Sequence, residues 1–159
     1  MVERAAIALG SNLGDSLGIL TGALTRLFGH SQIAEVVRSP WYRTKPVGPP
    51  QPEYLNGCVV AEVTLSPEEL LDVLLKIEVQ FDRVRRQRWG PRTLDLDLIF
   101  YGDRVTDTPK LQLPHPRFRD RAFVLVPLAD VAPHWLDPVS GQSVTDLLKA
   151  VDCSDVRLL

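Results

Sequence analysis

Leu94-Asp95-Leu96-Asp97-Leu98-Ile99 alternates apolar and acidic side chains through its first five positions. A period of two is the signature of a strand, and the reading extends to Tyr101. It places the leucines on one face and both aspartates on the other. The aspartate Cα atoms then lie roughly 7 Å apart, two rises of a strand. Carboxylates that close repel, and one pKa rises unless a cation intervenes. A hard dication is the natural neutraliser. Magnesium commonly takes one or two carboxylates and completes its shell with water and substrate phosphate. Taken alone, D-x-D also fits the solvated face of a half-buried strand.

The residues just upstream favour the metal. Arg83, Arg85, Arg86, Arg88 and Arg92 put five positive charges into ten residues with no acid among them. The net charge of the whole chain is only −2, so the remainder is distinctly acidic. Of its 18 cationic residues, 14 are arginine, whose planar fork of donors fits phosphate. Such a cluster repels itself until an anion arrives. Trp89 lies inside the run, where a merely solvated loop gains nothing from an indole. Arginines and a metal-binding carboxylate pair converging on one polyphosphate are what phosphoryl-type transfer requires. No Walker motif is present. Gly10-Ser11-Asn12-Leu13-Gly14-Asp15 reads mainly as a strand-to-helix turn.

Before the arginines, Ser66 is a good N-cap, Pro67 fits the first helical position and Glu69 completes a capping box. Leu70, Leu74, Ile77 and Phe81 form one apolar stripe of that helix. Further out, Arg4 to Leu9 reads as a short buried strand. Leu17, Leu20, Leu24 and Leu27 recur at helical spacing between Asp15 and Phe28. Ile33 to Thr44 is β-rich but broken at Ser39-Pro40, which predicts an edge strand or a bulge. Thr44 to Pro52 holds four prolines and reads as a stiff loop. Tyr54 to Thr64 is a second long strand. Downstream, Pro109 to Pro116 is a loop, and Val144 to Val151 is a short helix. Ala122 to Val131 fits a helix or a strand equally well. The order strand, helix, strand, strand, helix, strand predicts a ferredoxin-like α+β sandwich, an antiparallel sheet with helices on one face, and a short C-terminal extension.

The chain of 159 residues is 45% apolar and 24% charged, values that exclude a disordered tail or a fibre. The length suits a single domain spanning 1–159. No apolar run approaches the roughly 20 residues of a membrane span, and the first residues carry no signal-peptide pattern. Cys58 and Cys153 have neither metal-site nor disulfide-framework spacing, so a reducing cytoplasm is the expected compartment.

Arg88-Trp89-Gly90-Pro91-Arg92-Thr93-Leu94-Asp95-Leu96-Asp97-Leu98-Ile99 resembles the signature of the 6-hydroxymethyl-7,8-dihydropterin pyrophosphokinases of folate biosynthesis. Ala8 to Gly14, Tyr42 to Gly48, Tyr54-Leu55-Asn56, Pro114-His115-Pro116 and Arg121-Ala122-Phe123 are similar to further family segments, in the family's order. The resemblance implies that ATP donates its β,γ-pyrophosphoryl group to the pterin hydroxymethyl oxygen, leaving AMP. Asp95 and Asp97 would hold two Mg²⁺ ions. Arg83, Arg92 and Asp97 would form the catalytic set. Glu78, Arg85, Trp89, Leu98, Lys110, His115 and Arg121 would serve ATP, with Arg85 and Trp89 on a loop that closes over the site. Thr44, Val47, Tyr54, Asn56 and Phe123 would bind the pterin, its ring lying between Tyr54 and Phe123. Lys110 falls where the family often has arginine. Lys45 replaces a frequent proline, and Leu75 a polar nucleotide contact. The general base stays open.

By pattern alone Phe123 reads as core, Tyr54 as an ordinary strand former and Glu78 as a solvated helix residue. His30 and His134 receive no role. A ferredoxin-like RNA-binding module is the competing class. It would need a run of exposed aromatics that is absent here, and a D-x-D pair beside the arginines would repel a nucleic-acid backbone. The expectation is therefore a monomer acting on small molecules, with no nucleic acid and no membrane.

Overall fold

The computed structural model describes residues 1–46, 50–81 and 93–159. Its centre is β1 (Glu3–Ser11), with β4 (Tyr54–Val63) antiparallel on one side and β5 (Asp95–Tyr101) antiparallel on the other. β2 (Ile33–Arg38) and β3 (Tyr42–Thr44) pair in turn with successive parts of β4. β8 (Val156–Leu158) adds to the outer edge of β3. The break between β2 and β3 falls at Ser39-Pro40, as the sequence predicts. The Ser39 hydroxyl accepts the Cys58 N–H there at 2.9 Å, and a bulge lies between Glu35 and Val37. A second, two-stranded ribbon joins β6 (Thr106–Asp107), just before the expected loop, to β7 (Gln112–Leu113) within it.

Alternation along β1 explains the layering. Ala5, Ile7 and Leu9 face α1 (Ser16–Phe28) and α2 (Pro67–Phe81), where Leu20, Leu24, Leu70 and Leu74 complete a core. Ala6 and Ala8 face the other way, against Phe118 and against Leu125 and Leu128 of α3 (Ala122–Val131). α4 (Val144–Lys149) seals this second core with Val144 and Leu147. The ferredoxin-like sandwich is therefore present, with one addition. Helices cover both faces of the sheet, because the C-terminal extension folds back over the face the sequence reading leaves open.

The capping box of α2 forms as expected. Ser66 N–H donates to Glu69 Oε1 at 2.9 Å, and Glu69 N–H donates to Ser66 Oγ at 3.2 Å. Asp15 caps α1 by accepting from Gly18 N–H at 3.1 Å. Residues 122–131, ambiguous by pattern, are helical. α3 packs against both the sheet and α4 and so has too little of a polar face to reveal its period. Both cysteines are free thiols. Among the described residues no helix is long and apolar enough to cross a membrane.

On β5 the pattern resolves as predicted and then shifts. Leu94, Leu96 and Leu98 enter the core beneath α1 and α2, while Asp95 and Asp97 face the other side. Ile7 pairs with Leu98 and Ala6 with Phe100, so Ile99 is an inserted residue. Ile99 and Phe100 consequently both enter the second core. The Ile99 carbonyl accepts the His115 N–H at 3.0 Å.

Candidate active site

A cavity of about 570 Å³ opens over the aspartate face of the sheet. Small residues of β1 make its floor: Ala8 pairs with Asp97, and Gly10 with Asp95. Gly10 also pairs across to Asn56 on β4. A Cβ at position 10 would lie 2.9 Å from Asn56 Nδ2, so only glycine lets that amide lie over the floor. Asn56 and Thr44 are 6% and 7% exposed, yet Asn56 Oδ1 and Thr44 Oγ1 have no hydrogen-bond partner among the described residues. Buried polar atoms are normally paired, so two such atoms facing one cavity mark where a ligand supplies the partners.

Tyr54, at the start of β4, and Phe123, in the first turn of α3, also line this cavity. The Arg121 guanidinium lies 5.7 Å from the Phe123 ring centre. Asp95, Asp97 and Arg121 complete the sequence-predicted residues on its wall. His115 belongs to the same neighbourhood. Burial lowers its pKa, the Asp97 charge opposes that shift, and Arg121 and Arg117 reinforce it. Its Nδ1 accepts the Arg117 N–H at 3.2 Å, which leaves Nε2 as the protonated nitrogen when the ring is neutral.

Three predicted nucleotide residues stand elsewhere. The Glu78 carboxylate accepts the Leu96 N–H at 2.7 Å on the outer edge of β5. Leu98 points into the core beneath α1 and α2, so any contact it makes with a nucleotide runs through its backbone. Lys110 Nζ lies 3.1 Å from Asp72 Oδ1 on α2. Val47, Arg83, Arg85, Trp89 and Arg92 lie outside the described residues.

The sequence reading also missed contributors. Asp120, Asp152, Asp155 and Val156 line the cavity, three of them from the tail, beside Lys45, which the sequence reading names only as a departure from the family pattern. The only local signal for the tail is the short Val-Arg-Leu alternation at 156–158. The Tyr42 hydroxyl donates to the Asp130 carboxylate and so ties β3 to α3. Burial, reinforced by the Asp130 hydrogen bond and charge, pushes the Tyr42 phenol up to about 12. Asn12 Nδ2 donates to Gln51 Oε1 at 2.8 Å and to the Pro52 carbonyl at 3.0 Å, which ties the end of β1 to the residues that lead into β4.

The family model described as 7,8-dihydro-6-hydroxymethylpterin-pyrophosphokinase matches residues 6–133. The chain belongs to this family. A Synechocystis 2-amino-4-hydroxy-6-hydroxymethyldihydropteridine pyrophosphokinase is 52% identical over 96% of this chain and 78% of its own length. The Pseudomonas aeruginosa enzyme of the same name is 42% identical over 100% of this chain and 98% of its own. The solved structure of Plasmodium falciparum HPPK-DHPS wild type with pteroate shares the fold, with a TM-score of 0.73 at 13% identity over 94% of this chain. This chain spans only 42% of that longer protein. As a pyrophosphokinase of the folate pathway, the protein uses ATP as co-substrate. Its aspartate pair is an all-oxygen donor set on a rigid strand, which fits a hard divalent ion such as Mg²⁺.

Proposed function

We propose that the cavity over β1, β4 and β5 is where the chain joins the β,γ-pyrophosphoryl group of ATP to the hydroxymethyl oxygen of 6-hydroxymethyl-7,8-dihydropterin. The hydroxymethyl oxygen attacks the β-phosphorus, the bond from that phosphorus to the α-phosphate bridging oxygen breaks, and AMP departs. One observation carries the assignment: the unpaired Asn56 Oδ1 and Thr44 Oγ1 share a cavity with Asp95 and Asp97. The first pair suits a planar ring rich in N–H and ring-nitrogen groups. The second suits a metal-bound polyphosphate.

In this reading Tyr54 and Phe123 flank the pterin, Asn56 and Thr44 set its orientation, and Val47 contributes backbone. Asp95 and Asp97 would hold two Mg²⁺ ions, which when bound neutralise the phosphates and make the β-phosphorus more electrophilic. Arg121 and His115 border the phosphate side. Arg83 and Arg92 would supply charge during transfer, and Arg85 and Trp89 would serve ATP. Leu98 would meet the nucleotide through its backbone, Lys110 would reach it only by leaving Asp72, and Glu78 acts by fixing the strand that bears the aspartates. The leaving hydroxyl proton has no assigned acceptor. The two cores share one sheet, which supports residues 1–159 acting as one domain. The reading carries with it a cytoplasmic monomer that works on small molecules without nucleic acid or membrane.

The test is AMP release from ATP and Mg²⁺ with and without 6-hydroxymethyl-7,8-dihydropterin. Pterin-dependent AMP with matching pterin diphosphate is expected. ATP consumption that yields ADP, or that ignores the pterin, overturns the reading.

A further inference from the structure

β3 is only three residues long, and Thr44 is its last. Strand ends fray, and a short edge strand has little to hold it. Yet Thr44 is, among the described residues, one of two whose buried polar atom faces the cavity unpaired. Something must fix it in place before a ligand arrives. The structure supplies β8, which runs antiparallel along the outer side of β3 with Val156 opposite Thr44 and Leu158 opposite Tyr42. The hold continues past the Leu158 end of the pairing. Leu159 N–H donates to the Trp41 carbonyl at 3.0 Å, and Trp41 in turn packs over Gly57 so closely that a Cβ there would fall 2.4 Å from its ring. Arg157 reaches across to Glu53, with 2.5 Å between the charged atoms, at the residue directly before Tyr54. Val156 itself lines the cavity.

We propose that β8 is a positioning strand for the pterin subsite. It grips the Thr44 wall by backbone pairing and the Tyr54 wall through the Arg157–Glu53 ion pair, and so presets the pocket before the ring enters. The inference rests on the pterin reading of the cavity. Aspartates 95 and 97 stand on β5, at the opposite edge of the sheet from β8. Loss of the grip therefore weakens pterin capture and leaves nucleotide binding alone. Preorganisation of this kind acts on affinity, because the cost of ordering the walls is met in folding rather than in binding.

The experiment compares the full chain with a variant lacking residues 156–159, with Arg157→Ala, with Arg157→Lys and with the exchanged pair Glu53→Arg/Arg157→Glu. KM for the pterin, KM for ATP, kcat and thermal midpoint are measured for each. The shortened variant should raise the pterin KM about tenfold while the ATP KM stays within about twofold. Arg157→Ala should raise the pterin KM about two- to fourfold, as befits an exposed ion pair, and Arg157→Lys and the exchanged pair should restore it. A folded shortened variant with an unchanged pterin KM overturns the inference. Equal losses for pterin and ATP also overturn it, since they mark general loosening. If the shortened variant does not fold, failure of the exchanged pair to restore what Arg157→Ala loses decides against it. If the unaltered chain releases no pterin-dependent AMP, the reading of the cavity itself falls, and this inference with it.

Discussion

The Glu78 carboxylate accepts the backbone N–H of Leu96, the residue between Asp95 and Asp97, at 2.7 Å. β5 is the outermost strand on its side of the sheet, so this N–H faces away from β1. A helix-borne carboxylate thus does the work a neighbouring strand would do, and it sets the strand from which both aspartates project.

Replacing Glu78 with alanine should lower kcat/KM about tenfold or more, the scale of one charge-assisted hydrogen bond. The loss should appear for both substrates together, since the aspartates and not a substrate contact are displaced. Steady-state kinetics with each substrate varied separately check this. An effect confined to the ATP KM would show that Glu78 touches nucleotide instead.

Asp95→Ala and Asp97→Ala should each reduce pyrophosphoryl transfer by more than about a hundredfold, with little change in thermal midpoint. Both side chains face the cavity and neither fills a core. Quenched-flow measurement of AMP formation at saturating Mg²⁺ is the check. Full activity in either variant would remove the metal assignment.

Gly10→Ala should raise the pterin KM about tenfold and leave the ATP KM near its original value. The added methyl would stand 2.9 Å from Asn56 Nδ2 and push the amide off the cavity floor. Titration calorimetry with the pterin alone would show the same loss.

Asp137 predicts an acid limit to stability. Its carboxylate is fully buried, and burial pushes its pKa up. Hydrogen bonds from Arg119 at 2.5 and 2.9 Å, from Ser140 at 2.7 Å and from Val139 N–H at 3.0 Å outweigh that and hold it at about 2. A folded value below the ordinary 3.8 adds stability that is complete above that pH and is lost as the pH falls toward about 2. The contribution is on the order of 2 kcal/mol. Thermal melts from pH 7 down to about 2 should show Asp137→Asn less stable at neutral pH and the gap closing through that window.

Where the chain's own short-range rules decide the structure, the sequence was readable. Ser66, Pro67 and Glu69 announce the start of α2, and Asp95 and Asp97 announce their shared face. Thr44, Tyr54, Asn56, Phe123 and Arg121, named on the family resemblance, line one cavity. What was not readable depends on distant partners. Residues 122–131 carry a lone charged side chain, Asp130, and pack against both the sheet and α4, so their period shows too little of a polar face to be read. Glu78 looks like any exposed helix carboxylate until Leu96 is placed beside it. The tail residues Asp152, Asp155 and Val156 reach the cavity only because β8 finds β3, a pairing that no local pattern encodes.

The inserted residue at Ile99 marks the place where this strand can change its length. Across β1, Ile7 stands opposite Leu98 and Ala6 opposite Phe100, so the bulge holds the residue without a partner. Removing it would leave a regular ladder, with Phe100 still beside Phe118 and Trp135 and the aspartates still facing the cavity. What would go is the isoleucine side chain from the second core and the carbonyl that holds the His115 N–H. An in-frame loss of codon 99 should therefore spare the carboxylate pair and slacken the histidine.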